Sequence, residues 1–279
     1  MQVQWYPGHM TKAKRMMQED IKLIDLVIEL LDARIPLSSR NPDIDELAKG
    51  KSRLVLLNKS DLADPSANKA WQKHFEDMGI IALCVDSRNR GGFAPISSSI
   101  EKACKEKTER DRKRGIIGRP VRAMVAGIPN VGKSTFINSL TRRAGAKTGN
   151  KPGVTKGKQW IKLDKNVDLL DTPGILWPKF DDENTGLNLA FVGSINDEIL
   201  DPTELALKLA EKLKRAYPGT LFARYETDED ENTAVILEKI ALKRGCLKKG
   251  SEPDLDKAAR IVLDEFRSGK LGKITLEMI

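Results

Sequence analysis

The sequence predicts an α/β domain with a mainly parallel sheet covered by helices on both faces, followed by a small all-α C-terminal domain. Over the first two-thirds of the 279 residues, short apolar runs alternate with patterns of helical period. Such alternation predicts a parallel sheet whose strands are connected by helices. After about Phe180 only helical patterns follow. We therefore expect a boundary near residues 178–184, which gives domains at 1–180 and 181–279.

The predicted strands are short apolar runs bounded by polar or turn-forming residues. They lie at 25–32, 53–57, 80–85, 121–126 and 167–170. A further strand is expected at 159–163, for which an antiparallel position at the sheet edge is an option. Helices are predicted at 66–78, 133–143, 185–192, 202–217, 233–244 and 253–267, two of them beginning at a proline. The charged segment 103–119 is expected to form a helix and a connector.

A phosphate-binding loop is predicted at residues 127–134, which read GIPNVGKS and fit the pattern GxxxxGK[ST]. The segment follows an apolar strand and opens a helix, as this motif requires. Backbone N–H groups of such a loop cradle phosphates at the positive end of the helix. We expect Lys133 to reach the β- and γ-phosphates and the Ser134 hydroxyl to bind Mg²⁺. The remaining predicted nucleotide contacts of this loop are Asn130, Val131, Gly132 and Thr135.

A second motif, Asp171-Thr172-Pro173-Gly174, begins 37 residues after Ser134 and directly follows a predicted strand. Its carboxylate suits an Mg²⁺-linked acid, and the Gly174 N–H can sense the γ-phosphate. A DTPG segment alone predicts only a turn, but its distance from the phosphate loop favours a nucleotide site. Between the two motifs, Thr155 is positioned to complete the Mg²⁺ shell.

The segment Asn58-Lys59-Ser60-Asp61 ends a predicted strand and fits the NKxD pattern that selects guanine. Asp61 can accept hydrogen bonds from the N1–H and 2-amino groups of guanine. Adenine lacks these donors and would leave a buried carboxylate unpaired. The Lys59 stem is expected to pack on the base plane and Asn58 to tie the loop to the site. Asp86-Ser87-Arg88 is the candidate loop behind the base, with Ser87 as its contact.

The order of these motifs along the chain predicts a circular permutation. Ordinary GTPases carry the phosphate loop, the switch threonine, DxxG, NKxD and the base loop in that order. Here NKxD and the base loop come first, and the cyclic order is preserved. The fold class is therefore α/β, with a circularly permuted P-loop GTPase domain and a small all-α C-terminal domain. The expected reaction is hydrolysis of GTP to GDP and phosphate.

The residue that orients the attacking water is not evident from these motifs. Many GTPases carry a glutamine directly after DxxG, whereas this chain has Ile175. Either hydrolysis is slow without a partner, or another residue takes this role. His9, in an N-terminal segment rich in aromatic and turn-forming residues, is open to a structural as well as a catalytic interpretation.

Composition and charge restrict the partners. The net charge is +8, with nine Lys/Arg against three Asp/Glu at 102–122 and eight against one at 142–165. Charge runs are ordinarily solvated faces, but two dense runs that flank one phosphate loop favour a polyanionic partner. No stretch approaches the roughly 20 apolar residues that cross a bilayer, and the N-terminus lacks the apolar segment of a secretory signal. The three cysteines share no short spacing and are expected to be buried, which suits the cytoplasm.

Taken together, WYPGHMTKA at 5–13, DARIP at 32–36, NKSD, GIPNVGKS, PGVT and DTPG resemble the YlqF/RbgA family of bacterial circularly permuted GTPases. The resemblance runs from Trp5 to about Trp177 and is weaker over the C-terminal helices. It implies a role in late maturation of the 50S ribosomal subunit, with hydrolysis stimulated by the ribosomal particle. It also implies a helical C-terminal domain that contacts rRNA.

The same resemblance gives roles to individual residues. It implies that His9 stands in for the missing glutamine. It also implies that Asn130 corresponds to the position beside which related GTPases bind K⁺. The base loop departs from the family pattern, because Ser87-Arg88 stands where many relatives have Ser-Ala.

Two functions remain open from the sequence. The first is a GTPase that binds the maturing large ribosomal subunit, drives a late assembly step and leaves after hydrolysis. The alternative is a GTP-dependent regulatory switch whose helical domain binds a protein partner. The low aromatic content of 5% gives few stacking platforms for single-stranded RNA and leaves room for the alternative. In either case we expect a monomer with no membrane partner.

Overall fold

The structure, a computed structural model, describes residues 15–89, 94–141, 159–163, 166–171 and 182–279. Three predicted site residues, His9, Thr155 and Gly174, lie outside these ranges, and so do residues 142–158 of the second basic segment. The side chain of Asp171 is likewise outside the description.

Six strands of the described chain form one sheet in the order β3-β2-β1-β4-β6-β5. They are β1 (Leu26–Asp32), β2 (Ser52–Asn58), β3 (Ile81–Val85), β4 (Val121–Gly127), β5 (Gln159–Lys162) and β6 (Val167–Asp171). Neighbouring strands are parallel except β5, which pairs antiparallel with β6 at the edge. The predicted mainly parallel sheet is confirmed. The central position of β1 between β2 and β4 places β4, the strand before the phosphate loop, beside the first of the described strands.

The helices of the described residues form two groups. The first group lies between the strands along the chain, and the second follows the last strand. The first group comprises α1 (Asp43–Leu47), α2 (Pro65–Asp77), α3 (Ala94–Ala103), α4 (Lys105–Lys113) and α5 (Lys133–Thr141). The second comprises α6 (Glu183–Phe191), α7 (Pro202–Ala216), α8 (Thr220–Tyr225), α9 (Thr233–Lys243) and α10 (Leu255–Arg267). The prediction that α10 begins at Pro253 is wrong by two residues. Asp254 is its N-cap and accepts a hydrogen bond from the Lys257 N–H at 3.1 Å.

Both faces of the sheet are covered, because every residue of β1 is buried. Leu26, Ile28 and Leu30 face one hydrophobic cluster, which includes apolar residues of α3 and α5 and extends through the helices of the second group. Val27 and Leu31 face the opposite side, where α1, α2 and residues 17–24 supply the cover. Continuous burial of a strand on both faces is typical of α/β sheets.

The C-terminal segment 271–279 returns to the sheet end that carries the NKSD loop. The Ile274 N–H donates to the Leu62 carbonyl at 3.0 Å, and the Leu276 N–H donates to the Arg34 carbonyl at 2.8 Å. The Trp71 indole N–H of α2 donates to the Glu277 carbonyl at 2.9 Å. The second group of helices is therefore held against the strand ends where the NKSD loop lies.

Cys104 and Cys246 are buried, as expected for small apolar side chains, but Cys84 is exposed and does not follow that expectation. Within the described ranges, no helix is long and apolar enough to cross a membrane.

Candidate guanine-nucleotide site

Three loops meet at one edge of the sheet, because the carboxyl ends of parallel strands point the same way. The phosphate loop follows β4, the NKSD loop follows β2, and the 86–88 loop follows β3. The predicted nucleotide contacts therefore come from three adjacent parts of the fold. The side chains that join the loops determine the geometry of the site.

The phosphate loop has a compact backbone that only glycine allows at two positions. A Cβ atom on Gly127 would lie 2.8 Å from the Leu30 carbonyl oxygen. Gly132 has a φ of +98°, and a Cβ atom there would lie 2.5 Å from Asn58 Nδ2. Asn130 also has a positive φ, of 59°. The loop is thus packed directly against the neighbouring strand end and the NKSD loop.

The lysine predicted to reach the phosphates, Lys133, and the predicted Mg²⁺ ligand, Ser134, lie in the first turn of α5. Lys133 is buried, with 6% of its surface exposed, whereas Ser134 and Thr135 are partly exposed. The N-terminal end of a helix favours anionic groups, which suits a phosphate at this position. Asp171 ends β6 opposite Val125 of β4, so its backbone lies on the strand next to the phosphate loop.

Asn58 joins all three loops. Its Nδ2 donates to the Val131 carbonyl at 2.7 Å, and its Oδ1 accepts from Ser87 N–H at 3.1 Å and Ser87 Oγ at 2.6 Å. Ser139 Oγ of α5 donates to the Ser87 carbonyl at 2.6 Å. Asn58 and Ser87 are both buried, so these bonds are shielded from water. Ser87 therefore belongs to the framework of the site through its bonds to Asn58.

Lys59 spans the gap between the NKSD loop and the phosphate loop. Its Nζ donates to the Asn130 carbonyl at 2.8 Å and to Asp32 Oδ2 at 3.0 Å. Its backbone has a φ of 58°. The lysine lines a cavity together with Leu62, Ser87, Arg88, Thr135 and Arg267, among others. This cavity lies between the base-selecting loops and the first turn of α5.

Asp61 presents an acceptor that fits guanine. Its Oδ2 accepts from the Arg88 guanidinium, while its Oδ1 is buried without a hydrogen-bond partner among the described residues. A buried carboxylate oxygen without a donor is unfavourable, and a ligand that supplies N–H groups relieves this cost. The N1–H and 2-amino groups of guanine are such donors. Arg88, at the position that departs from the family pattern, contacts the carboxylate that is predicted to select guanine.

Asp32 and Arg34 also belong to the site, although the sequence analysis gave the DARIP segment no role. Asp32 is completely buried and bonds Lys59, and Arg34 is 1% exposed and bonds Asp32. The sequence feature that could have pointed to Asp32 is its position at the end of a strand that was predicted from its apolar residues.

Arg267 of α10 lines the same cavity, and no sequence signal pointed to it. Its Nε donates to the Phe191 carbonyl at 2.9 Å and its Nη2 to the Ala190 carbonyl at 2.8 Å, at the end of α6. The second group of helices therefore supplies part of the cavity wall.

The chain is similar to known GTPases over almost its whole length. A family described as 50S ribosome-binding GTPase matches residues 122–238. The ribosome biogenesis GTPase A of Bacillus pumilus is 47% identical over 278 residues, covering 99% of both chains. The protein of the same name from Thermotoga maritima is 33% identical and covers 98% of this chain and 93% of its own.

The chain belongs to the ribosome biogenesis GTPase A family.

Solved structures support the same family. A GNP-bound YlqF from T. maritima has a TM-score of 0.70 and 29% identity, covering 96% of this chain and 98% of its own. A GDP-bound YlqF has a TM-score of 0.70 and 27% identity, covering 95% of this chain and 99% of its own. The predicted family, the circularly permuted P-loop fold and the enzyme class are confirmed. The chain is a GTPase that binds GTP and GDP and hydrolyses GTP to GDP and phosphate.

Proposed function

We propose that this GTPase binds the maturing large (50S) ribosomal subunit, hydrolyses GTP there in a late assembly step and leaves after hydrolysis. Membership of the ribosome biogenesis GTPase A family and the match to a 50S ribosome-binding GTPase family support this partner. We further propose that the protein acts as a monomer in the cytoplasm, where ribosomal subunits mature, with no membrane partner.

The observation that carries the ribosomal partner is the basic helix α4, with sequence KEKTERDRK. None of its residues is buried, and Arg110, Arg112 and Lys113 lie exposed in its last turn, with Arg114 following. Such a helix buries no side chain and therefore contributes little to the stability of the fold. Its positive charges are complementary to the negative phosphates of rRNA. The helix lies in the segment that joins the base loop to the strand of the phosphate loop.

The basic residues of the second group of helices contribute less to this surface than their number suggests. Lys239 pairs with Glu231 at 2.5 Å, Lys243 with Glu226 at 2.9 Å, and Arg244 with Glu265 at 3.3 Å. Lys248 and Lys249 are exposed in the turn before α10. These two lysines, rather than the three paired cations, are the better candidates in this region for contacts with rRNA phosphates.

For hydrolysis, we assign Lys133 to the phosphates and Ser134, Asp171 and Thr155 to Mg²⁺. When bound, Mg²⁺ neutralises charge on the phosphate oxygens. Gly174 is assigned to the γ-phosphate and His9 to the attacking water. K⁺ beside Asn130 is proposed as an additional cation.

The test is the rate of GTP hydrolysis with and without purified 50S subunits, in K⁺ buffer and in matched Na⁺ buffer. We expect stimulation by the subunits and steep loss of subunit binding as salt rises, because phosphate contacts release counterions. The charge-reversal variant Arg112→Glu with Lys113→Glu should weaken subunit binding and leave the rate without subunits unchanged. A rate that subunits do not alter would contradict the ribosomal partner and favour the regulatory switch.

A further inference from the structure

Asp32 is a buried charged group for which the proposed chemistry has no use. It ends β1, lies in register with Asn58 of β2, and is 0% exposed. Because β1 is the strand between β2 and β4, the carboxylate sits between the NKSD loop and the phosphate loop. An ionised group without exposure to water requires partners that compensate its lost hydration.

Two cations compensate the Asp32 carboxylate. Arg34 donates from Nε to Oδ1 at 2.9 Å and from Nη2 to Oδ2 at 2.7 Å, a bidentate pair. Lys59 donates from Nζ to Oδ2 at 3.0 Å. Burial alone would raise the pKa of Asp32, but the Arg34 and Lys59 charges outweigh it and hold that pKa well below its usual range. Asp32 is therefore ionised at neutral pH.

The position of the Lys59 ammonium depends on this carboxylate. Nζ is held between Asp32 Oδ2 and the Asn130 carbonyl, so the stem of the lysine has little freedom. Burial lowers the pKa of Lys59, Asp32 opposes this effect, and Arg34 reinforces it. Without Asp32, the Lys59 and Arg34 cations would face each other in a buried space. The Lys59 ammonium would then keep only its bond to the Asn130 carbonyl, and the Arg34 guanidinium would repel it.

Arg34 is fixed in turn by α10. Its Nη1 donates to the Arg267 carbonyl at 3.3 Å, and its guanidinium carbon lies 5.4 Å from the centre of the Phe266 ring. A planar guanidinium with a carboxylate, a carbonyl and an aromatic ring around it has few alternative positions. The Asp32–Arg34 ion pair is therefore fixed in position, and it fixes the Lys59 ammonium that bonds Asp32.

We propose that Asp32 and Arg34 are positioning residues for guanine-nucleotide binding, which hold the Lys59 stem where it packs on the base plane. The proposal rests on the guanine site and is independent of the ribosomal partner. Neither residue lines the cavity between the base-selecting loops and α5. Their effect passes through Lys59, and this route distinguishes them from residues that merely stabilise the fold.

The experiment is a double-mutant cycle on the affinity for fluorescent GDP. Asp32→Asn and Lys59→Met should each weaken binding by about 10- to 100-fold, the range for loss of a charged hydrogen bond. In the Lys59→Met background, Asp32→Asn should add less than about 2-fold, because its effect passes through the missing ammonium. Losses that multiply in the double variant would overturn the proposal.

The base analogue IDP separates packing on the base plane from recognition of its edge. IDP lacks the 2-amino group that Asp61 recognises but presents the same plane to Lys59. Asp32→Asn should therefore weaken GDP and IDP binding by the same factor, whereas Asp61→Asn should change the ratio of the two affinities. A ratio that Asp32→Asn changes as much as Asp61→Asn does would contradict the assigned route.

Glu29 provides a matched control on the same strand. It is 2% exposed and accepts from Arg53 Nη2 at 2.8 Å, and its charged partners among the described residues, Arg53 and Arg40, lie outside the three loops. Glu29→Gln should lower the Tm and leave GDP affinity within about 2-fold of wild type. If it weakens GDP binding as strongly as Asp32→Asn, general destabilisation explains the result and the proposal fails.

A second variant covers the case in which Asp32→Asn does not fold. Arg34→Lys keeps the charge but loses the bidentate contact. It should weaken GDP binding by about 3- to 10-fold with an unchanged circular dichroism spectrum. Wild-type affinity in this variant would overturn the role of Arg34 and, with Asp32→Asn unfolded, the proposal as a whole.

Discussion

Gly132 shows how one residue controls the contact between the phosphate loop and the base-selecting loop. Its φ of +98° is strained for any L side chain, and an added Cβ would lie 2.5 Å from Asn58 Nδ2. Asn58 cannot yield easily, because its amide already bonds Val131 and Ser87. Gly132→Ala should therefore weaken GDP binding by at least about 10-fold and lower the free energy of unfolding by about 1–3 kcal/mol.

Gly50→Ala is the appropriate control for that change. Gly50 has a similar φ of +77°, and its Cβ would meet no atom within 4 Å. This variant should show only the backbone strain of about 1–2 kcal/mol, with wild-type GDP affinity. Isothermal titration with GDP and urea unfolding of both variants make the comparison. Wild-type affinity in Gly132→Ala would mean that the Asn58 framework does not control the site.

At the scale of elements, the strands were predictable because each is a short apolar run with a clear end. All six predicted strands lie within one or two residues of the observed ones, and the edge strand β5 is antiparallel. Helices α1, α3 and α8 were not predicted. Helices α1 and α8 have five and six residues, too few for helical periodicity to show. The start of α10 was misplaced because Pro253 resembles a first helical residue, whereas Asp254 provides the cap.

Glu265 connects helices of the helical region, which is the second group of helices, α6 to α10. It accepts from Arg224 Nε at 2.8 Å and Nη2 at 2.6 Å, and from the Tyr225 hydroxyl at 2.9 Å. These bonds link α10 to α8, and the Arg244 guanidinium at the end of α9 lies 3.3 Å away. Hydrogen bonds from Arg224 and Tyr225, with the Arg244 charge, outweigh burial and lower the pKa of Glu265 from 4.5 to about 2.

This lowered pKa predicts a pH-dependent contribution to stability. The carboxylate favours the folded state fully above the unfolded pKa of 4.5, and the contribution is lost as the pH falls from there toward 2. Urea unfolding should show wild type more stable than Glu265→Gln at pH 7, with the difference shrinking by pH 3. A difference in free energy that stays constant from pH 7 to pH 3 would show that Glu265 acts by packing alone.

At the scale of the whole molecule, the sequence predicted the motifs of the site but not the contacts that join them to the helical region. Asn58, Lys59, Asp61 and the phosphate loop were recognisable because each motif is a short consecutive segment. The bond between Arg34 and the Arg267 carbonyl links residues 233 positions apart. No local pattern marks such a pair, because packing of α10 against the sheet end creates it. The same holds for the Arg267 side chain in the cavity wall.

One long-range contact leads from the phosphate loop directly into the helical region. Asn130 Nδ2 donates to the Gly193 carbonyl at 2.6 Å, just after α6. The preceding carbonyls of Ala190 and Phe191 accept from Arg267, which also lines the candidate nucleotide cavity. The end of α6 therefore touches two parts of the site. A change at the phosphate loop between GDP and GTP has a short physical route to this helix.

We therefore expect amide hydrogen exchange at residues 190–195 to differ by about 5-fold or more between the GDP-bound and GTP-analogue-bound protein, the lower end of typical coupling between sites. Helix α2 serves as the internal reference, because it packs on the opposite face of the sheet and carries none of these contacts. Its exchange should be equal in both states. Equal exchange at 190–195 as well would mean that the Asn130–Gly193 contact survives the change of nucleotide. The helical region would then have to respond to the nucleotide through a different connection, or not respond at all.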